Sequence, residues 1–519
     1  MDRALGKGSR WRALGPVLPI LLGFAAVNLA FNLTVPLLEA PDETSHVAVL
    51  RFIEARHTLP VQQPPANFPA GQEGSQPPLY YLIGATLYHL SPAPALAPTF
   101  SRQNPFVSFQ RSTADAANRN FYGHSLAERF PYRGDVLGLH LARLAGLLLG
   151  GLTVLFTYLI AREIWPGAGL VAILGAGLVA FNPELAFISG VVNNDSAIAM
   201  GATLVLWCLV RWIMRGGSTR LAVGLGVALA SALLAKTDGI LLLPLVAVVL
   251  GFPHPLPPLP AAGEGSRQGD PLETLPPRLK APPGEGGEGG RREGVGDEGN
   301  HRSPMKMRMS VPRSSPRHAL IVAVLTALLA GWWFVRNQLL YGDPLGYRAM
   351  LAANAAMIRH APLDPIAALL ALVKARGTFW GIFGWTNVLY PARVYQVLDG
   401  FTLLCAIGLA IGAWQSRGLV VAAFGRLAAF RTTEDGRRIL AILLLGSWSL
   451  LVFASLVRWV QINEAADQWR LFFGALAPVA IFLALGLDRI RLAVLGLVGR
   501  CRPPRQDVAS PPAPLHFQW

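Results

Sequence analysis

The chain has 519 residues, of which 52% are hydrophobic and only 14% charged, and its net charge is +15 at pH 7. Soluble domains have about 25% charged residues, so this composition argues against a soluble globular protein. Apolar segments of roughly 18–20 residues, long enough to cross a bilayer as helices, recur along the chain. The sequence therefore predicts an all-α polytopic membrane protein. Its excess of Lys and Arg is typical of cytoplasmic loops and indicates no nucleic-acid partner.

The first membrane helix is predicted over 14–38, after a basic N-terminal stretch. Residues 39–136 follow as a long first outer loop, and such a loop in a compact protein is usually functional. Within it, 43–56 has apolar residues on one side and charged residues on the other, which predicts a helix lying on the membrane interface. A second short interfacial helix is predicted to begin after Pro77-Pro78.

About ten membrane helices are predicted in total. After the first, they lie at about 137–161, 168–187, 195–214, 220–236, 239–253, 318–335, 398–414, 438–458 and 471–487. Residues 254–317 are rich in Pro, Gly and charge and contain few large apolar side chains, so they predict a disordered linker.

The predicted organisation is two transmembrane modules on either side of the linker. The N-terminal module covers 1–253, the C-terminal module covers 318–499 with a second outer loop at 336–397, and 500–519 form a tail. Basic residues concentrate in alternate connecting segments, which predicts that both termini and the linker are cytoplasmic and that the two long loops lie on the extracytoplasmic face of the membrane. The three cysteines show no disulfide or metal-binding spacing.

The first candidate site comprises Asp42, Glu43 and His46, directly after the first membrane helix. An ionisable residue at membrane depth is costly and is therefore a functional candidate. The alternative is that the two carboxylates lie in the first turn of a helix and interact with its dipole. His46 follows Asp42 by four residues and shares its helix face, which suits an oriented carboxylate, a weak metal site or a structural hydrogen bond.

A second candidate lies around Pro77-Pro78, which fixes the entry to the second interfacial helix. Glu73 and Gln76 precede it and could face a polar substrate, although an ordinary loop turn is the favoured explanation of this stretch taken alone. Tyr80 follows it and is placed at headgroup level, where tyrosine is enriched.

The remaining candidates lie at the predicted outer ends of later helices. Asp195 follows Asn193-Asn194 and could orient a substrate or belong to a helix cap. Lys236, Arg336 and Arg470 are isolated cations where the positive-inside rule disfavours them. A lipid phosphate would explain their position, and so would snorkelling or local ion pairs. No Walker, dinucleotide-binding, His-Glu-x-x-His or nucleophile-elbow motif is present.

Four short motifs resemble the GT-C superfamily of lipid-dependent glycosyltransferases. They are Pro41-Asp42-Glu43-x-x-His46, Gln76-Pro77-Pro78-Leu79-Tyr80-Tyr81, Phe383-Gly384-Trp385 and Gln468-Trp469-Arg470. The plan of one helix, an acidic outer loop, two interfacial helices and a bundle is similar to the protein O-mannosyltransferases and aminoarabinose transferases. The motifs also resemble a family of uncharacterised bacterial polytopic membrane proteins.

The resemblance implies an inverting transfer of a sugar from a polyprenyl-phosphate donor to a glycan, lipid or protein acceptor outside the membrane. By position, Asp42 would be the general base and Glu43 would help to hold the acceptor. Lys236, Arg336 and Arg470 would stabilise the departing lipid phosphate. Asp195 would orient the acceptor or a metal, so a divalent cation is left open while no metal ligand is assigned.

Two departures and two alternatives accompany this interpretation. Relatives of the aminoarabinose type place Glu-Lys directly before a proline, whereas Gly74-Ser75-Gln76 separates Glu73 from Pro77 here. The linker is also not part of the resemblance. A lipid-linked glycan transporter or flippase would place polar residues at mid-bilayer and often shows repeats, neither of which is seen. An inactive assembly subunit that keeps the fold is the other alternative.

Overall fold

The computed structural model describes residues 14–63, 73–91, 103–107, 119–251, 316–424 and 433–500. Within these ranges the chain is helical and contains no β-strand beyond isolated bridges. The all-α class predicted from the sequence is therefore confirmed. The predicted linker, apart from its last two residues, and the tail beyond residue 500 lie outside the described residues.

Fifteen α-helices are present in the described ranges. They are α1 Leu18–Thr34, α2 Glu43–Arg56, α3 Leu79–His89, α4 Gly134–Ile164, α5 Gly169–Ala180, α6 Pro183–Ser189, α7 Asp195–Arg215, α8 Thr219–Ala235, α9 Leu242–Gly251, α10 Pro316–Tyr341, α11 Tyr347–Ala353, α12 Pro365–Lys374, α13 Ala392–Phe424, α14 Glu434–Ile462 and α15 Leu476–Arg500.

Seven helices among the described residues are long and apolar enough to cross a membrane, and the bent pair α5 and α6 makes an eighth if counted as one span. The chain is thus a multi-pass membrane protein. The predicted number of ten is not confirmed, because the two apolar helices on either side of Lys236 are short. Thr219–Ala235 has 17 residues, and Thr237–Gly251, which includes a 3-10 turn, is shorter still.

Helix α7 lies at the centre of the bundle, and 78% of its most apolar stretch is buried inside the protein. It packs against α4 and α8 and against the 3-10 helix Trp469–Ala475 that precedes α15. Small residues allow these close approaches: a Cβ added at Gly201 of α7 would meet the backbone of Ala232 in α8 at 2.8 Å. This packing fixes the N-terminal end of α7 beside the C-terminal end of α8.

The chain enters and leaves the bundle so that several connections meet at one end. The turn after α1, the start of α7, the end of α8 and the segment before α15 all lie there, as their side-chain contacts show. Helices α2 and α3, predicted from the first loop, pack on each other and on α4 at this end. The candidate residues are concentrated at this end of the bundle.

Candidate functional site

Asp42 lies in the turn that joins α1 to α2. Its backbone is left-handed, with φ of +63°, a region that Asp tolerates better than most residues. Asp42 is at the N-cap position of α2, but its carboxylate makes no capping hydrogen bond to that helix. Instead, its Oδ2 accepts a hydrogen bond from Arg470 Nη2 at 2.5 Å. The side chain remains 31% exposed, and therefore a ligand can still reach it.

Arg470 joins Asp42 to a second carboxylate. Its Nη1 donates to Asp195 Oδ2 at 2.9 Å, and its Nε donates to Gln468 Oε1 at 2.8 Å. Asp195 Oδ1 in turn accepts from Lys236 Nζ at 2.6 Å. Four charged side chains from distant parts of the chain thus form one network of charge-assisted hydrogen bonds. Two carboxylates balance two cations, and Asp195 is only 2% exposed.

Asp42 is held in its ionised form by this network. Burial alone would raise the pKa of its carboxyl, but the neighbouring Arg470 guanidinium and its hydrogen bond lower the pKa below the usual value. Burial likewise opposes the charge of Lys236, but the carboxylates of Asp195 and Asp238 raise the pKa of its ammonium overall. The network is therefore ionised at neutral pH.

His46 lies in the first turn of α2, four residues after Asp42, and its imidazole is neutral near pH 7. Burial lowers the pKa of its imidazole to about 4. Its Nδ1 is 2.8 Å from the hydroxyl of Tyr81, to which Asn194 Nδ2 also donates at 3.5 Å. Glu73 is a further buried carboxyl near Asp42. Its pKa is raised to about 7, mainly by burial and next by the charge of Asp42.

These groups line a cavity of about 480 Å³, which is within the usual size range of small-molecule sites. Seven of the ten sequence-predicted site residues are on its wall: Asp42, His46, Glu73, Gln76, Asp195, Lys236 and Arg470. Trp385 and Trp459 also line the cavity. Gln76 also lines the cavity, and its Oε1 atom is buried and lacks a hydrogen-bond partner among the described residues.

Glu43 is not on the cavity wall, and its contacts differ from the acceptor-holding role that the sequence predicts. Arg143 of α4 binds its carboxylate through Nε and Nη2 at 2.9 and 3.0 Å. The amide of Val192 donates to the same carboxylate at 3.0 Å. Because Glu43 is only 1% exposed, these contacts favour a structural role.

Tyr80 and Arg336 also lie away from the cavity lining. The hydroxyl of Tyr80 donates to the carbonyl of Val191 at 3.3 Å, and the side chain is fully buried. Arg336 donates to the carbonyl of Pro60 at 2.6 Å and lies over the ring of Trp333. The structure therefore does not bring Arg336 to the other two cations.

Two functional candidates escaped the sequence interpretation. Arg458, near the C-terminal end of α14, lines the cavity, is exposed, and makes no ion pair with the described residues. It lies at the end of a predicted span, the same signal that selected Arg336. Arg143 is an isolated charge inside a membrane helix, and its position alone indicates a buried partner.

No group of three or more His, Cys, Asp or Glu side chains in the described ranges is arranged to hold a metal ion. The divalent cation left open by the sequence stays a prediction. Asp195, the residue predicted to orient either an acceptor or a metal, instead binds Lys236 and Arg470.

Comparison with known proteins gives one family match and several structural similarities. The family model described as dolichyl-phosphate-mannose-protein mannosyltransferase matches residues 138–256, which include Asp195 and Lys236. No curated protein matches the chain. The matched range is less than a quarter of the sequence and contains neither Asp42 nor Arg470.

Two solved structures are similar at low identity. One is ArnT from Cupriavidus metallidurans bound to undecaprenyl phosphate, with 14% identity, a TM-score of 0.47, and 94% of this chain and 64% of that chain covered. Another is the oligosaccharyltransferase AglB from Archaeoglobus fulgidus with an inhibitory peptide and a dolichol phosphate, with 11% identity, a TM-score of 0.43, and 97% and 53% covered. The chain thus spans less than two thirds of the length of either protein.

The family match and the sequence motifs fall on complementary parts of one site. The matched range supplies the start of α7 and the end of α8, whereas the motifs supply Asp42 and Arg470. Over residues 138–256 the chain is similar to the dolichyl-phosphate-mannose-protein mannosyltransferases, and this confirms the resemblance to the GT-C superfamily that its sequence predicts.

Proposed function

We propose that this protein is an inverting glycosyltransferase that moves a sugar from a polyprenyl-phosphate donor to an acceptor hydroxyl outside the membrane. The observation that carries the proposal is the cavity in which a partly exposed, ionised Asp42 lies beside cations at one end of a membrane bundle. The family match supports a donor of this class, because its members are described as acting with a dolichyl-phosphate sugar.

In the proposed reaction, the acceptor oxygen forms a bond to the anomeric carbon while the bond from that carbon to the donor phosphate oxygen breaks. The acceptor proton goes to the carboxylate of Asp42, and the lipid phosphate leaves with the bonding electrons. Asp42 suits the base because it is ionised and 31% exposed, whereas Asp195 is 2% exposed and bound by two cations.

The departing phosphate needs a cation that the protein has not already neutralised. Lys236 and Arg470 are paired with carboxylates at 2.6 and 2.5 Å, and Arg336 lies elsewhere. Arg458 has no ion pair among the described residues and lines the same cavity. We therefore assign the main phosphate contact to Arg458, with the Arg470 network as support.

We place the cavity on the outer face of a bacterial inner membrane, with both termini in the cytoplasm. Basic residues concentrate in the segments that would then be cytoplasmic, as the positive-inside rule requires. Asp42 and Lys236 follow the C-terminal ends of α1 and α8, whereas Asp195 and Arg470 lie at or before the N-terminal ends of α7 and α15. Helices that alternate in direction bring these four side chains to the same face of the membrane. Labelling of single cysteines at two exposed positions, Ala127 in the predicted outer loop and Thr219 at the cytoplasmic start of α8, tests this orientation.

Replacing Arg458 with glutamine should weaken donor binding by roughly ten- to hundredfold, because a charged hydrogen bond to phosphate is lost. The measurement is competition of a polyprenyl monophosphate against the donor in detergent, with Arg336→Gln as the matched control. Arg336→Gln should bind as the wild type does. Equal weakening in the two variants would contradict the assignment of Arg458, and weakening in Arg336→Gln alone would restore the original prediction.

A further inference from the structure

A segment between α3 and α4, residues 119–128, connects the cavity wall to the chain around Asp42; we call it the strap. At one end, Arg119 donates to the carbonyl of Asn387 at 2.7 Å, and Asn387 donates back to the carbonyl of Arg119 at 2.9 Å. The ring of Phe121 packs on Trp385, with ring centroids 4.7 Å apart. The strap thus contacts Trp385, which lines the cavity.

The strap is attached equally closely to the turn that carries Asp42. Glu39, three residues before Asp42, accepts the backbone amides of Phe121 and Tyr122, each at 2.7 Å. The hydroxyl of Tyr122 is 3.1 Å from Thr44 Oγ1, two residues after Asp42. The strap therefore holds the chain on both sides of a residue whose left-handed backbone needs external support.

His124 fastens the strap through both of its ring nitrogens. Nε2 lies 3.0 Å from Glu39 Oε1, and Nδ1 lies 2.7 Å from Glu128 Oε2. These two carboxylates are the titratable groups that face the ring among the described residues. An imidazolium can donate to both, whereas a neutral imidazole has one N–H and leaves the other carboxylate facing a lone pair.

We propose that His124 is a positioning residue whose charged ring fastens the strap to Glu39, holds Asp42 in place, and releases this hold when the ring loses its proton. Burial lowers the pKa of His124, but the hydrogen bonds to Glu39 and Glu128 outweigh it and raise the pKa above the usual 6.5. A raised folded-state pKa means that the stabilisation is complete below about pH 6.5 and is lost as the pH rises through the folded-state value.

The direct test is amide hydrogen exchange of Phe121 and Tyr122 in the full-length protein in detergent. After correction for intrinsic exchange, protection of these two amides should fall by about tenfold between about pH 6 and about pH 9, with its midpoint above about 6.5. His124→Gln should show the lower protection at every pH. His89→Gln is the matched control, because His89 pairs with Glu54 on the same loop but is 69% exposed, and it should follow the wild type.

Turnover provides the second readout and depends on the proposed glycosyl transfer. We expect kcat, rather than KM, to fall as His124 deprotonates, and His124→Gln to lack that decline. Comparison with the variant is needed because Glu73, which lines the cavity together with Asp42, has a pKa of about 7 and therefore titrates over the same pH range. Loss of protection without any difference in kcat between the two proteins would overturn the positioning role.

Failure of this inference is separable from failure of the proposed function. Protection that does not change with pH, or that is unchanged in His124→Gln, would overturn the inference whatever the protein catalyses. A wild-type protein that transfers no sugar from any polyprenyl-phosphate donor would overturn the proposed function and with it the positioning of a catalytic base, while the exchange experiment still decides whether His124 fastens the strap.

Discussion

Replacement of Asp42 with asparagine should reduce kcat for sugar transfer by about 10²–10⁴-fold, the usual contribution of a general base. Asparagine cannot take the acceptor proton, but it can keep a hydrogen bond to Arg470. It also tolerates the left-handed backbone at φ of +63°, so the substitution adds little strain. The measurement is transfer in purified protein with a polyprenyl-phosphate sugar as donor.

The matched control is Asp399→Asn, which removes a carboxylate that pairs with Arg376 on the exposed surface. We expect its transfer rate to equal that of the wild type. Near-normal transfer by Asp42→Asn at normal protein level would mean that Asp42 is not the base. Absence of transfer in the wild type with several donors would instead favour the transporter or the inactive assembly subunit.

The membrane helices were predictable because the bilayer leaves the backbone few choices. A segment in hydrocarbon must satisfy its own hydrogen bonds, so a long apolar run becomes a helix. The predicted span 195–214 is Asp195–Arg215 in the structure. Hydropathy does not report where a helix continues beyond the hydrocarbon, and the predicted span 398–414 lies inside a helix that covers Ala392–Phe424.

A bend inside an apolar run is also invisible to hydropathy. The predicted span 168–187 is two helices at 56° to each other. The break occurs where Asn182 accepts the amide of Leu185 at 2.9 Å and Pro183 begins α6. Proline at the first helical position is a local signal for such a start, so the sequence contained the information that the hydropathy profile did not show.

The site was predictable as a set of residues but not as a set of contacts. Asp42, Asp195 and Arg470 are each ionisable groups at the end of an apolar run, which a single sequence shows. The ion pair between Asp42 and Arg470 joins residues 428 positions apart, and only tertiary packing determines it. The same criterion also selected Arg336, which lies away from the cavity. A position at the end of an apolar run does not show which way the side chain faces.

Substitution of Arg143 with methionine should destabilise the protein by about 3–5 kcal/mol, because it leaves the buried carboxylate of Glu43 without its charge partner. Arg143 is fully buried and also donates to three backbone carbonyls at the end of α1, those of Asn32, Val35 and Pro36. Loss of these bonds would loosen the turn that leads to Asp42. Thermal unfolding in detergent, read from the protein's intrinsic fluorescence, measures the effect.

The exposed pair Arg376 and Asp399 supplies the matched control. Arg376→Met should cost at most about 1 kcal/mol, since exposed ion pairs contribute little. Glu43→Gln tests the role of the carboxylate itself: a structural role predicts lower stability, and transfer reduced no more than the folded fraction. If Glu43→Gln unfolds like the wild type yet loses transfer by about tenfold or more, the carboxylate contacts the acceptor as its sequence position predicts, and the structural role is wrong.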